Sequence, residues 1–166
     1  MTTRREFFAQ KQRKRYYKTI EIYHPTIGVV RYVDGTINPI SFTLESDAPR
    51  NAGQTVEFEG TAFAYSQPDQ SQSTVTMELQ LGRVGTKIKQ KLKQIKGADR
   101  AKTGEVIVRE YIQGETDVKY KVSLYISTIT MTMEGAAIFC TQDDVSKQNV
   151  AEIYTSDRFP GLAESI

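Results

Sequence analysis

Every second residue from Val75 to Leu81 is apolar: Val75, Met77, Leu79 and Leu81 alternate with Thr76, Glu78 and Gln80. A period of two is the repeat of an extended strand with one face on a core, and a helix would split these four side chains between opposite sides. The same period marks Tyr16 to Tyr23, where Ile20 and Ile22 oppose Thr19 and Glu21, and a half-buried strand is expected there. Ile40, Phe42 and Leu44 repeat it, and Val29 to Val33, Val106 to Ile112 and the apolar run Ala136 to Cys140 also have strand character. Between the first two runs, His24-Pro25-Thr26-Ile27-Gly28 supplies turn chemistry and predicts a hairpin, with Asp34-Gly35 closing its second strand. Asp47 to Gly53 reads as a turn-rich connection.

Two places break the alternation. Val56 and Phe58 have one parity, Phe63 and Tyr65 the other, and Gly60 lies between, so a tight turn or a bulge is expected to separate the two pieces. In the run from Tyr120 to Met133, Tyr120, Val122, Leu124 and Ile126 are even whereas Ile129, Met131 and Met133 are odd. A regular strand would turn one of these sets to water, so a β-bulge or bend is expected at Ser127-Thr128.

Only one internal stretch has a helical period. Val84, Ile88, Leu92 and Ile95 fall on one side of a helical wheel, with Lys91 inside the apolar arc and Gly97 placed as the stop. Residues 3–15 lack Gly and Pro and predict a short N-terminal helix carrying Phe7 and Phe8. About eight strands and two helices point to a mainly β fold, an antiparallel barrel or sandwich. A chain of 166 residues suits one domain, residues 1–166. Residues 1–18 are expected as a basic N-terminal arm or helix, and residues 145–166 as a C-terminal arm.

Charge and reactive residues narrow the functions. His24 is the only histidine and Cys140 the only cysteine, so a catalytic triad or a zinc site of the usual ligands has almost nothing to draw on. His24 is read as a solvent-facing turn residue. Asp143 and Asp144 are adjacent and are read as solvated rather than as a catalytic pair. Leu81-Gly82-Arg83-Val84-Gly85 follows a strand but lacks the third glycine and the Gly-Lys-Ser/Thr ending of phosphate-binding loops. No catalytic residue, cofactor or metal is expected. Neither a secretory signal nor a membrane span is visible, so synthesis in a reducing cytoplasm and no membrane partner are expected.

Net charge is +2, yet seven Lys and Arg against Glu6 alone crowd the first eighteen residues, and a second basic block runs from Arg83 to Lys102. These blocks suit acidic neighbour surfaces, with a nucleic-acid-binding module as one alternative reading and stable nucleic-acid binding not expected. A small cell-wall hydrolase is another alternative.

The stretch Ser41-Phe42-Thr43-Leu44-Glu45-Ser46-Asp47-Ala48-Pro49-Arg50-Asn51-Ala52-Gly53-Gln54-Thr55-Val56-Glu57-Phe58 resembles a family of short phage and prophage tail proteins. Leu81-Gly82-Arg83-Val84, Arg109-Glu110-Tyr111 and Ile153-Tyr154-Thr155-Ser156-Asp157-Arg158-Phe159-Pro160-Gly161-Leu162 extend the resemblance, in order, over nearly the whole chain. That family is similar to the hub-domain part of siphophage minor tail proteins. The resemblance implies a structural, non-enzymatic role in the virion tail tip, in a homo-oligomeric ring. A three-fold ring is expected, with a six-fold ring as the alternative, between the distal tail protein and the central hub or fibre. Phe7, Phe8, Arg13, Arg15, Phe159, Pro160 and Leu162 are the candidate interface residues.

Overall fold

The computed structural model describes residues 14–67, 75–82, 90–131 and 135–143. Nine strands join in one sheet: β1 Tyr16–His24, β2 Gly28–Asp34, β3 Ile40–Thr43, β4 Thr55–Thr61, β5 Phe63–Tyr65, β6 Thr76–Leu81, β7 Glu105–Ile112, β8 Tyr120–Met131 and β9 Ala136–Thr141. Their order is β3-β4-β2-β1-β7-β8-β9-β6-β5. The fold is mainly β, as the alternation requires. The sheet is mixed rather than purely antiparallel, because β4 inserts beside β2 in parallel, pairing Tyr32 with Glu59 and Asp34 with Thr61. A strand count of about eight becomes nine because the chain from Thr55 to Tyr65 changes partners.

That change lies at Ala62. Up to Thr61 the chain pairs with β3 and β2, and from Phe63 it pairs with β6. Two residues of extended chain span about 7 Å, so the end of the sheet carrying β5 must curl back to β2. Gly35 N–H donates to Thr61 O at 3.3 Å and Phe63 N–H to the Asp34 carboxylate at 3.4 Å, tying the junction. Neither the tight turn nor the bulge expected here is found; one unpaired residue lets the strand pass from one set of neighbours to the other. Gly60 serves another purpose. A Cβ there would lie 2.5 Å from the Thr36 carbonyl oxygen, so its bare backbone lets the 35–38 turn close over β4.

Curling places the alternating apolar face of β6, with Met77, Leu79 and Leu81 all but fully buried, against Ile20 and Ile22 of β1 and Val106 and Val108 of β7. Ile138 and Cys140 of β9 and Leu92 and Ile95 complete this inner core. In β8 the parity break is resolved as the sequence requires. Ile126 pairs with Cys140 and Thr128 with Phe139, so Ser127 is an extra residue and the register shifts across it. Ile126, Ile129 and Met131 consequently all pack on the same core despite their unlike parity.

The strand reading of β1 is corrected in one respect. Thr19 and Glu21 are fully buried, as are Ile20 and Ile22, because β1 lies between β2 and β7 and its second face is covered. A smaller cluster of Val33, Phe42, Leu44, Ala48, Phe58 and Tyr111 occupies that outer side and holds β3 and β4. Phe42 stacks on Tyr111 with ring centroids 4.5 Å apart and meets Tyr17 and Phe58 edge-on at 5.5 Å. Contacts of this kind add about 0.5–1.5 kcal/mol each to the burial itself.

Of the expected internal helix, residues 90–92 are helical and a turn follows at 93–94, so the helix stops before Gly97. Gly97, at φ +56°, instead opens a short 3-10 helix, Gly97–Ala101. Residues 83–89, the N-terminal helix and the C-terminal arm lie outside the described residues. The N-terminal arm, expected through residue 18, gives way to β1 at Tyr16.

Candidate assembly edge and the charged network that holds it

β3 is an end strand of the sheet and, among the described residues, pairs only with β4. Leu44 N–H donates to Gln54 O at 2.9 Å, which fixes the even residues of β3 as those bonded to β4. Ser41 and Thr43 therefore direct their backbone N–H and C=O groups outward. Thr43 O accepts from the Tyr111 hydroxyl at 3.3 Å, so Ser41 N–H, Ser41 C=O and Thr43 N–H form the outward row. Just before this edge, Ile37 is 95% exposed, the largest exposure of any big apolar side chain among the described residues.

A charged network fixes the 44–54 segment that joins β3 to β4. Glu21, on the outer face of β1, is fully buried and accepts from Arg31 Nε at 3.0 Å, Arg50 Nε at 3.0 Å and Arg109 Nη1 at 3.4 Å. Arg109, also fully buried, donates through Nε to both oxygens of Glu45, at 2.8 and 3.1 Å. Lys121 reaches Glu45 at 2.9 Å and Asp47 at 3.3 Å. Arg50 Nη2 lies 2.8 Å from Glu105, close enough to pair charge although it is not aligned for a hydrogen bond. The network thus sets Glu21, Glu45, Asp47 and Glu105 against Arg31, Arg50, Arg109 and Lys121, four of each sign. Such balance is what permits charge at this depth. Burial alone would push the Glu45 carboxyl up; the hydrogen bonds from Arg109, its own backbone N–H and Lys121 outweigh that and hold it at about 2. Asn51, in the left-handed region at φ 54°, accepts from Arg31 Nη2 at 2.7 Å and completes the tether of the loop.

Glu110 is buried on the opposite face of β7. It accepts from the hydroxyls of Tyr16 and Tyr65, the latter at 2.5 Å. Burial, and then the hydrogen bond to Glu110, push the Tyr65 phenol well above its ordinary value. Each of Glu21, Glu45 and Glu110 is therefore held by cations or phenols of its own chain.

Of the candidate interface residues, only Arg15 is described. Its Nη2 donates to Gly35 O, its guanidinium lies 5.3 Å from the Tyr17 ring centre, and its backbone pairs with Gln113. Phe7, Phe8, Arg13, Phe159, Pro160 and Leu162 lie outside the described residues. The other described members of the first basic block also face their own chain: Lys14 meets Glu115 at 3.1 Å, and Lys18 lies over the Tyr65 ring at 5.3 Å. Asp143 is exposed, and Asp144 lies outside the described residues.

His24 is corrected outright. It is 3% exposed rather than solvent-facing, because β1 continues through it to pair with Gly28 while Gly104 packs against its ring. Sequence reasoning missed the Glu21–Arg109–Glu45 network. The available signal was charge at positions 21 and 109 inside otherwise strand-forming runs, where a half-exposed strand was assumed. No protein-family model and no curated protein matches the chain.

Proposed function

We propose that the chain is a non-enzymatic structural subunit of a bacteriophage tail tip, assembling with copies of itself and with neighbouring tail proteins. The observation that carries this reading is the β3 edge: a row of outward backbone groups beside exposed Ile37, held in place by the aromatic cluster and the charged network behind it. An unpaired edge is a template onto which a neighbour's strand can add. Rigid presentation lowers the ordering cost of such a contact. The stretches that carry the resemblance to phage tail proteins also converge here, since Arg109 bonds Glu45 and Tyr111 stacks on Phe42. On this reading the subunits form a three-fold ring, or a six-fold one, between the distal tail protein and the central hub or fibre.

The test uses a phage or prophage that encodes the chain. Mass spectrometry of purified virions should find the protein in the tail fraction. Ser41→Pro, which removes one outward N–H at an edge where proline is tolerated, should cut incorporation at least tenfold while leaving the melting temperature of the isolated protein within a few degrees. Absence from virions overturns the tail assignment, and normal incorporation of Ser41→Pro overturns the β3 edge as the contact.

A further inference from the structure

A cavity of about 450 Å³ opens between the 90–96 segment, the bulged half of β8 and the end of β1. Its size is within the range of small-molecule sites. Two features of the chain shape its wall. The extra residue Ser127 lies at the cavity wall, and Gly104 lets Ile126 and His24 pack against bare backbone there, since a Cβ would stand 2.8 Å from Ile126 Cδ1.

The lining divides by chemistry. Leu92, Ile95, Ile129 and Met131 form apolar wall, whereas Lys93, Lys96 and Lys102 supply positive charge. Lys102 is paired with Asp99 at 2.6 Å. Lys93 and Lys96 take part in no ion pair among the described residues; Asp99, held by Lys102, also acts electrostatically on His24, so the two lysines supply the excess positive charge. His24 also faces the cavity although it is almost wholly buried. Its Nδ1 accepts the Thr26 N–H at 3.2 Å, so Nε2 is the ring nitrogen left to meet a ligand. An imidazole at the wall, two lysines without an ion pair among the described residues and an aliphatic wall in one concavity suit a ligand with an anionic head and an apolar body.

We propose that this cavity binds a small amphiphilic anion, an aliphatic carboxylate or alkyl phosphate, with its head at Lys93, Lys96 and His24 Nε2 and its chain along Leu92, Ile129 and Met131. This inference is independent of the tail assignment, and its test needs only the isolated full chain. Because His24 is the only histidine, its imidazole NMR signals report on the site without ambiguity. Decanoate should shift them saturably at one equivalent per chain. Octanoate should bind on the order of tenfold more weakly, since two fewer methylenes are buried, and decyl phosphate should bind comparably to decanoate. Decanol, which lacks the charge, and inorganic phosphate, which lacks the chain, should each bind at least tenfold more weakly than decanoate. The variant Lys93→Gln/Lys96→Gln changes exposed side chains and should retain the fold while losing about tenfold in decanoate affinity with decanol unaffected. No saturable His24 shift, equal binding of decanoate and decanol, or an unchanged affinity in the double variant overturns the proposal. The decanoate and decanol comparison decides the matter in the unaltered protein if the variant does not fold.

Discussion

Replacing Glu21 by Gln tests whether the fold depends on the charge balance beneath the 44–54 segment. The amide keeps the shape of the side chain and can still accept hydrogen bonds, so the change isolates one negative charge. It leaves three guanidinium groups facing a neutral group. Arg31 and Arg50 have side chains 14% and 18% exposed and can draw on water, but Arg109 is at 0% and retains only Glu45, at 2.8 Å. Breaking a buried pair from one side costs about 3–5 kcal/mol, a large part of the roughly 5–15 kcal/mol that holds a domain together. Urea unfolding followed by tyrosine fluorescence and far-UV circular dichroism is the assay, since the chain has no tryptophan. The midpoint should fall with little change in slope. In a cycle with Arg109→Met, the double variant should recover about 1–3 kcal/mol relative to the sum of the single changes, because the stranded cation is then absent. A cost for Glu21→Gln below about 1 kcal/mol, or additivity in the cycle, refutes the reasoning.

Acid should weaken the same region. The Glu45 carboxyl is held at about 2 against an ordinary 4.5, so its contribution is complete above pH 4.5 and disappears as pH falls through about 2. At about 1.4 kcal/mol per unit, less the screening of a partly solvated group, the loss is roughly 1–2 kcal/mol, and Glu45→Gln should remove that part of the acid dependence in urea titrations between pH 5 and 2. Deleting Ser127 takes out the extra residue, so Thr128 follows Ile126 directly and Ile129 and Met131 keep the core face without a bulge. A loss below about 1 kcal/mol is therefore expected in the same assay; a loss above about 2 kcal/mol, as if Ile129 and Met131 had left the core, would show that Ser127 is not the extra residue.

Strand positions and the Ser127 bulge were legible in the sequence because alternation is local: each side chain's parity states which face it shares with residues two positions away. Val75 to Leu81 therefore identified β6, and the shift from Leu124 and Ile126 to Ile129 and Met131 identified the extra residue. Parity cannot say whether the second face of a strand is also covered. Glu21 looked like the wet side of β1, and only the return of the 44–54 segment over β1 and β7 buries it. The partners that make this burial tolerable lie far away in the chain, Arg109 being 88 residues from Glu21 and 64 from Glu45. The same holds for His24, whose turn chemistry was visible while its burial depends on Gly104, and for Ala62, where one unpaired residue sends the chain to new neighbours. The parallel pairing of β2 with β4 likewise depends on how distant segments close against one another. Local sequence determined which segments are strands and which way their apolar faces point; tertiary structure decided which polar faces are buried, because that depends on contacts between residues far apart in the chain.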